Sequence, residues 1–208
     1  MMSAELYLLT PPQIGEDFAA TLRRTLNAGD VAAVQLRLKN HDEGSLDRLA
    51  PPLVQICHEA GAMTIFNDRP DLAARYGCGG VHIGQEDAPY AEARSAVGAK
   101  GVVGVTCHDS RHLAMLAAER GADYVAFGAM FQTATKTPKS RASLDLLTWW
   151  SELFEAPCVA IGGITVDNAA DVINAGADYL AVSGGIWAHQ DGPEKAVEQF
   201  SELLAHSS

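Results

Sequence analysis

Short runs of mostly apolar residues recur along this chain without alternating with polar ones. They fall at residues 6–9, 31–36, 63–66, 80–83, 101–105, 124–127, 158–161 and 179–182. Such runs, bounded by turn residues, read as strands buried on both faces, as in a parallel sheet. Many follow a small-residue cluster, for example Ala60 and Gly61, Gly121 and Ala122, or Gly176 and Ala177. Glycine just past a helix takes the left-handed conformation that closes the last turn. Helical patterns lie between the runs, most clearly over 46–60, 110–120 and 144–154, with a further helix from an N-cap at Thr165 to Ala175. Eight strands alternating with helices in 208 residues predict one domain, 1–208, folded as a (β/α)8 TIM barrel. The rival fold is an open doubly wound sheet. It needs fewer strands, and its Gly-x-Gly-x-x-Gly fingerprint is absent after the first one.

In such a barrel the C-terminal strand ends converge on one mouth, where active sites form. The second strand runs out through Gln35, Leu36, Arg37, Leu38 and Lys39. Alternation places Gln35, Arg37 and Lys39 on one face, and Leu38 on the other. Polar side chains facing inward are costly without a ligand, whereas on an exposed edge they would merely be solvated. A barrel has no edge strands. Arginine offers a fork for phosphate oxygens and lysine a point charge. The third strand ends at Asn67 and Asp68, and the fourth runs into Asp87. Asp68 and Asp87 are candidate ligands for a hard cation such as Mg²⁺. Asp68 also reads as a helix N-cap, with Pro70 near the first helical position, and the two roles are compatible. Asp71 suits the first turn of that helix.

Thr106 ends the fifth strand as a hydroxyl donor at the mouth. Its neighbours Cys107 and His108 point to opposite faces, so they form no nucleophile–base pair. His108 and His112 have helical spacing, but no third metal ligand follows. After the sixth strand, residues 132–140 place Thr133, Thr135 and Lys136 in a polar loop with the length of a lid, or simply of a solvated loop. Gly163 follows strand seven, and Ser183 and Gly184 follow strand eight. Glycines there match the backbone phosphate cradle of this fold. Two anion sites result, one for a metal-chelated diphosphate and one for a monophosphate.

Composition narrows the partners. A net charge of −11 argues against nucleic acid and anionic membranes. No apolar run approaches a membrane span, and the first ten residues carry no basic leader, which predicts a cytoplasmic protein. Cys57, Cys78, Cys107 and Cys158 form no Cys-x-x-Cys pair and read as reduced thiols, Cys158 as a core residue. The expected partners are small phosphorylated molecules; self-association stays open.

Taken in order, these residues resemble thiamine-phosphate synthase over nearly the whole chain. The resemblance rests on Gln-Leu-Arg-x-Lys at 35–39, Asn-Asp-Arg at 67–69, His-x-Gly-Gln-Glu-Asp at 82–87, Thr-x-Thr-Lys at 133–136 and Ile-Gly-Gly-Ile at 161–164. It implies a transferase of thiamine biosynthesis that joins hydroxymethylpyrimidine diphosphate to a thiazole phosphate, releasing pyrophosphate by a dissociative route. By position, Gln35, Arg37, Lys39, Asn67, Thr106 and Lys136 would bind the pyrimidine diphosphate, with Arg37, Lys39 and Lys136 acting on the leaving group. Asp68 and Asp87 would hold Mg²⁺. Thr133, Thr135, Gly163, Ser183 and Gly184 would bind the thiazole phosphate. Leu38 stands where the family usually has Glu, Gln132 where proline is common, and Met130 is also unusual. Two alternatives share the scaffold: a metal-free thiazole tautomerase working through His108, and a phosphate-ligand-binding paralogue without catalysis.

Overall fold

The computed structural model describes residues 4–132 and 140–206. Its strands are β1 (Glu5–Leu9), β2 (Ala33–Leu36), β3 (Met63–Asn67), β4 (Gly80–Ile83), β5 (Val102–His108), β6 (Tyr124–Gly128), β7 (Cys158–Ile161) and β8 (Tyr179–Val182). All pair in parallel and in chain order, and β8 closes on β1, which gives the expected (β/α)8 barrel. The helices are α1 (Phe18–Leu26), α2 (Glu43–Glu59), α3 (Pro70–Arg75), α4 (Tyr90–Val97), α5 (Arg111–Glu119), α6 (Leu144–Leu153), α7 (Val166–Asn174), α8 (Gly184–Trp187) and α9 (Pro193–His206).

The missing hydropathy alternation has a direct cause. Leu6 and Leu8 of β1 pack outward against helices, while Tyr7 and Leu9 fill the barrel interior. β6 repeats this with Val125 and Phe127 outward, Tyr124 and Ala126 inward. Both faces exclude water, so side-chain direction alternates while polarity does not. In β2, Val34 and Leu36 join the outer core, and the intervening Gln35 falls inside. In β4, Val81 and Ile83 do the same around His82.

The Gly-Ala-Asp copies do more than end helices. Gly121 and Gly176 take φ of 89° and 94°. The aspartates that follow then reach the neighbouring strand: Asp123 accepts the Val103 N–H and Asp178 the Cys158 N–H, both at 2.7 Å. Each carboxylate thereby satisfies a strand-start amide that the ladder leaves over. Thr165 caps α7 through a capping box with Asn168, and Asp42 caps α2 by accepting the Ser45 N–H at 2.8 Å.

Two strand boundaries differ from the sequence reading by more than one residue. β2 starts at Ala33, because Val31 and Ala32 are apolar approach residues outside the strand. β5 extends to His108 through a register shift between Thr106 and His108. The adjacent tryptophans divide the work. Trp150 is fully buried, stacked on Phe154 at 4.0 Å, with its indole N–H on the Ala156 carbonyl at 2.7 Å. Trp149 is half-buried under the Arg111 guanidinium, 4.5 Å from its ring centroid.

Candidate active site

The C-terminal strand ends surround a cavity of about 540 Å³. On the β2 side, alternation outlasts the strand. Gln35, Arg37 and Lys39 line the cavity, whereas Leu38 is buried in the outer core. The Leu38 departure therefore faces away from the chemistry. Thr10, fully buried at the end of β1, accepts the Arg37 N–H at 2.9 Å and holds this exit in place.

Asp68 leaves β3 with φ 64°, a left-handed turn that aspartate tolerates better than most residues. Pro70 is the first helical residue of α3, but the cap position belongs to Arg69, so the capping role expected for Asp68 is not the one adopted. Its carboxylate instead lies 2.5 Å from Lys39 Nζ. Asp71 sits in the first turn of α3, as expected, and is held by two bonds from Arg69 at 2.8 and 2.6 Å. Asp87 closes the turn after β4 by accepting the Gly84 N–H at 2.8 Å.

The Asp68 and Asp87 carboxyls line the same part of the cavity and act on each other. Burial and then the neighbouring Asp68 carboxyl raise the Asp87 carboxyl above the ordinary aspartate range. Two carboxylates this close cannot both ionise cheaply unless a cation lies between them. The donor set therefore fits a hard divalent ion. Among the described residues no group of three or more Asp, Glu, His or Cys forms a cation site. A pair of carboxylates leaves the remaining positions to water and ligand oxygens, which is the habit of Mg²⁺. Beside them, Asn67 lines the cavity with a buried Nδ2 that has no hydrogen-bond partner, a donor suited to a ligand acceptor.

On the opposite side the wall is backbone. Gly162 and Gly163 have φ of 100° and 69°. A Cβ on Gly163 would stand 2.4 Å from the Gln132 carbonyl, so only glycine fits. The Met130 N–H reaches the Ile161 carbonyl at 3.0 Å, and the Phe131 N–H reaches Gly162 at 2.9 Å. These contacts pin the start of the 132–140 loop to the end of β7. Ser183 and Gly184, at the start of α8, line the same wall as Gly163. Thr133, Thr135 and Lys136 lie outside the described residues.

Thr106 and His108 both line the cavity, and Cys107 between them is buried in the outer core with its thiol pushed up to about 12 by burial. Sequence reasoning gave no role to the residues beneath. Tyr7, Tyr124 and His82 join Gln35 to Thr106 in a buried row of hydrogen bonds. One signal was available. A Cβ on Gly104, inside β5, would lie 1.9 Å from the Tyr124 ring, and a glycine inside a strand marks such an approach.

The sequence matches the family described as thiamine monophosphate synthase over residues 6–186. It is 57% identical to the thiamine-phosphate synthase of Rhodospirillum centenum, across 98% of this chain and 99% of that one. Identity to the thiamine-phosphate synthase of Hyphomonas neptunium is 49%, across 96% and 93%. Among solved structures it superposes on the thiamine phosphate pyrophosphorylase of Pyrococcus furiosus with a TM-score of 0.86 and 29% identity, across 98% and 96%. Cavity, strand order and sequence agree: this chain belongs to the thiamine monophosphate synthase family.

Proposed function

We propose that the protein joins hydroxymethylpyrimidine diphosphate to a thiazole phosphate, giving thiamine phosphate and pyrophosphate, with Mg²⁺ held by Asp68 and Asp87. The observation that carries this reading is the meeting of two unlike walls in one cavity: charged side chains at β2–β4 and a glycine backbone at β7–β8. Bound Mg²⁺ would supply charge neutralisation to the diphosphate oxygens.

Arg37 and Lys39 are placed to receive the charge that builds on the leaving diphosphate as its C–O bond breaks. Lys39 starts from its contact with Asp68, so it can release to a phosphate oxygen without leaving the cavity. Lys136 would join them from the loop. Asn67 Nδ2 offers a further donor. The pyrimidine then carries the methylene cation, and the thiazole nitrogen captures it. Gly163, Ser183 and Gly184 hold the thiazole phosphate by backbone N–H groups at the start of a helix, and Thr133 and Thr135 would join them. Positioning and charge stabilisation suffice on this route, with no general base.

The cytoplasm is the setting we infer. Among the described residues no helix is long and apolar enough to cross a membrane, and the four cysteines are unpaired. The test is direct. Purified protein incubated with both substrates and Mg²⁺ should release thiamine phosphate and pyrophosphate in equal amounts; folded protein yielding neither sinks the proposal.

A further inference from the structure

The buried row under the cavity has a direction. Gln35 Nε2 donates to the Tyr7 hydroxyl at 2.9 Å. Tyr7 and Tyr124 hydroxyls touch at 2.9 Å, Tyr124 meets His82 Nδ1 at 2.9 Å, and His82 Nε2 meets the Thr106 hydroxyl at 2.7 Å. Tyr7 is 3% exposed and Tyr124 7%, so water is excluded from these hydroxyls. Because Tyr7 accepts from Gln35, its own proton has one outlet, the Tyr124 oxygen. Tyr124 must then donate onward to His82 Nδ1. With Nδ1 accepting, it bears no proton of its own, so the ring is neutral and carries one N–H. That proton sits on Nε2 and is donated to Thr106. The Thr106 hydroxyl proton is left for the cavity that Thr106 lines.

The two ends are therefore coupled. With one of its two amide N–H groups on Tyr7, Gln35 keeps its carbonyl oxygen as an acceptor, and Thr106 presents a donor. Reversal requires the Gln35 amide to flip and every proton in the row to invert together. We infer that Tyr7, Tyr124 and His82 are positioning residues that preset Gln35 to accept from an exocyclic amino group of the bound ring and Thr106 to donate to an acceptor on the same ligand. An oxo group in place of the amino group offers Gln35 an acceptor instead of a donor and is disfavoured. This selectivity rests on the synthase reading; the polarity of the row does not.

Two measurements test it. In nitrogen NMR of the wild-type protein near neutral pH, His82 should carry its proton on Nε2, with Nδ1 bare. A proton on Nδ1, or on both nitrogens, overturns the polarity. Tyr124→Phe cuts the row while keeping the ring. It should raise KM for the aminopyrimidine diphosphate about tenfold and lower the amino-over-oxo ratio of kcat/KM by a similar factor, with KM for thiazole phosphate unchanged. An unchanged ratio, or equal shifts in both KM values, overturns the positioning role. Should that variant fail to fold, Tyr7→Phe cuts the row one link earlier with the same expected pattern. Wild-type protein inert toward both substrates sinks the synthase reading and the ring selectivity together, while the histidine spectrum still decides the row.

Discussion

In the proposed function the two walls of the cavity bind anions by different means. At β2–β4 the binding groups are side chains: Arg37 and Lys39 against Asp68 and Asp87. At β7–β8 they are backbone amides arranged by Gly162, Gly163 and the start of α8. The first wall responds to pH, to cations and to any change of charge. Among the described residues the second has no titratable group of its own, and it fails only when its shape fails. The difference suits the ligands proposed, since a departing diphosphate needs adjustable charge and a retained monophosphate needs only a fixed seat.

Substitutions can break the comparison on one wall at a time. The largest expected effect is Asp87→Ala, which should abolish Mg²⁺-dependent turnover while circular dichroism and melting show an intact barrel. Turnover at the wild-type rate would remove Asp87 from the cation site. Next comes Arg37→Ala, which should lower kcat about 100-fold, as for loss of one transition-state donor, with KM for thiazole phosphate unmoved in steady-state kinetics. On the opposite wall, Gly163→Ala should raise KM for thiazole phosphate about tenfold and leave that for the pyrimidine diphosphate unchanged. It should also cost about 1–3 kcal/mol of stability in urea melts, because φ 69° strains alanine and its Cβ meets the Gln132 carbonyl.

The smallest effect is a pH dependence confined to the first wall. Asp87 has a folded pKa above its unfolded value, so the folded protein holds the proton longer. Its contribution to apo stability is therefore present below the unfolded value, near 4, and is lost as pH rises through the raised folded value. Solvent screening keeps this below about 1 kcal/mol. A cation needs the ionised pair, so stabilisation by Mg²⁺ should appear as that proton leaves. Differential scanning fluorimetry should find a rise in Tm of about 3 °C at tenfold excess over Kd near pH 7, and none at pH 4. In Asp87→Asn the pH dependence should vanish.

Much of this was legible from residue patterns. The barrel could be read because non-alternating runs admit few folds with covered strands on both faces, and the mouth because its groups immediately follow those runs. Gln35, Arg37, Lys39 and Leu38 followed from period two alone. The Lys39–Asp68 contact was not legible, since it depends on how β2 and β3 exits lean toward each other. The row from Gln35 to Thr106 was hidden for a different reason. Tyr7 and Tyr124 stand in runs where inward and outward residues are equally apolar, so nothing in the pattern says which share the interior. His82 was visible only as part of a motif. The capping expectation for Asp68 missed by one residue because Arg69 takes the cap position before Pro70.

The close approach of Gly104 to Tyr124 bears on how this chain can change over generations. Any side chain at position 104 evicts the ring at 124, and eviction removes the hydroxyl linking Tyr7 to His82. Conversely, while the tyrosine persists, position 104 is closed to every residue but glycine. The two sites are locked in epistasis across neighbouring strands. Lineages that relax which ring they accept should be found to have altered both positions together, and lineages that keep the row should show neither changing alone.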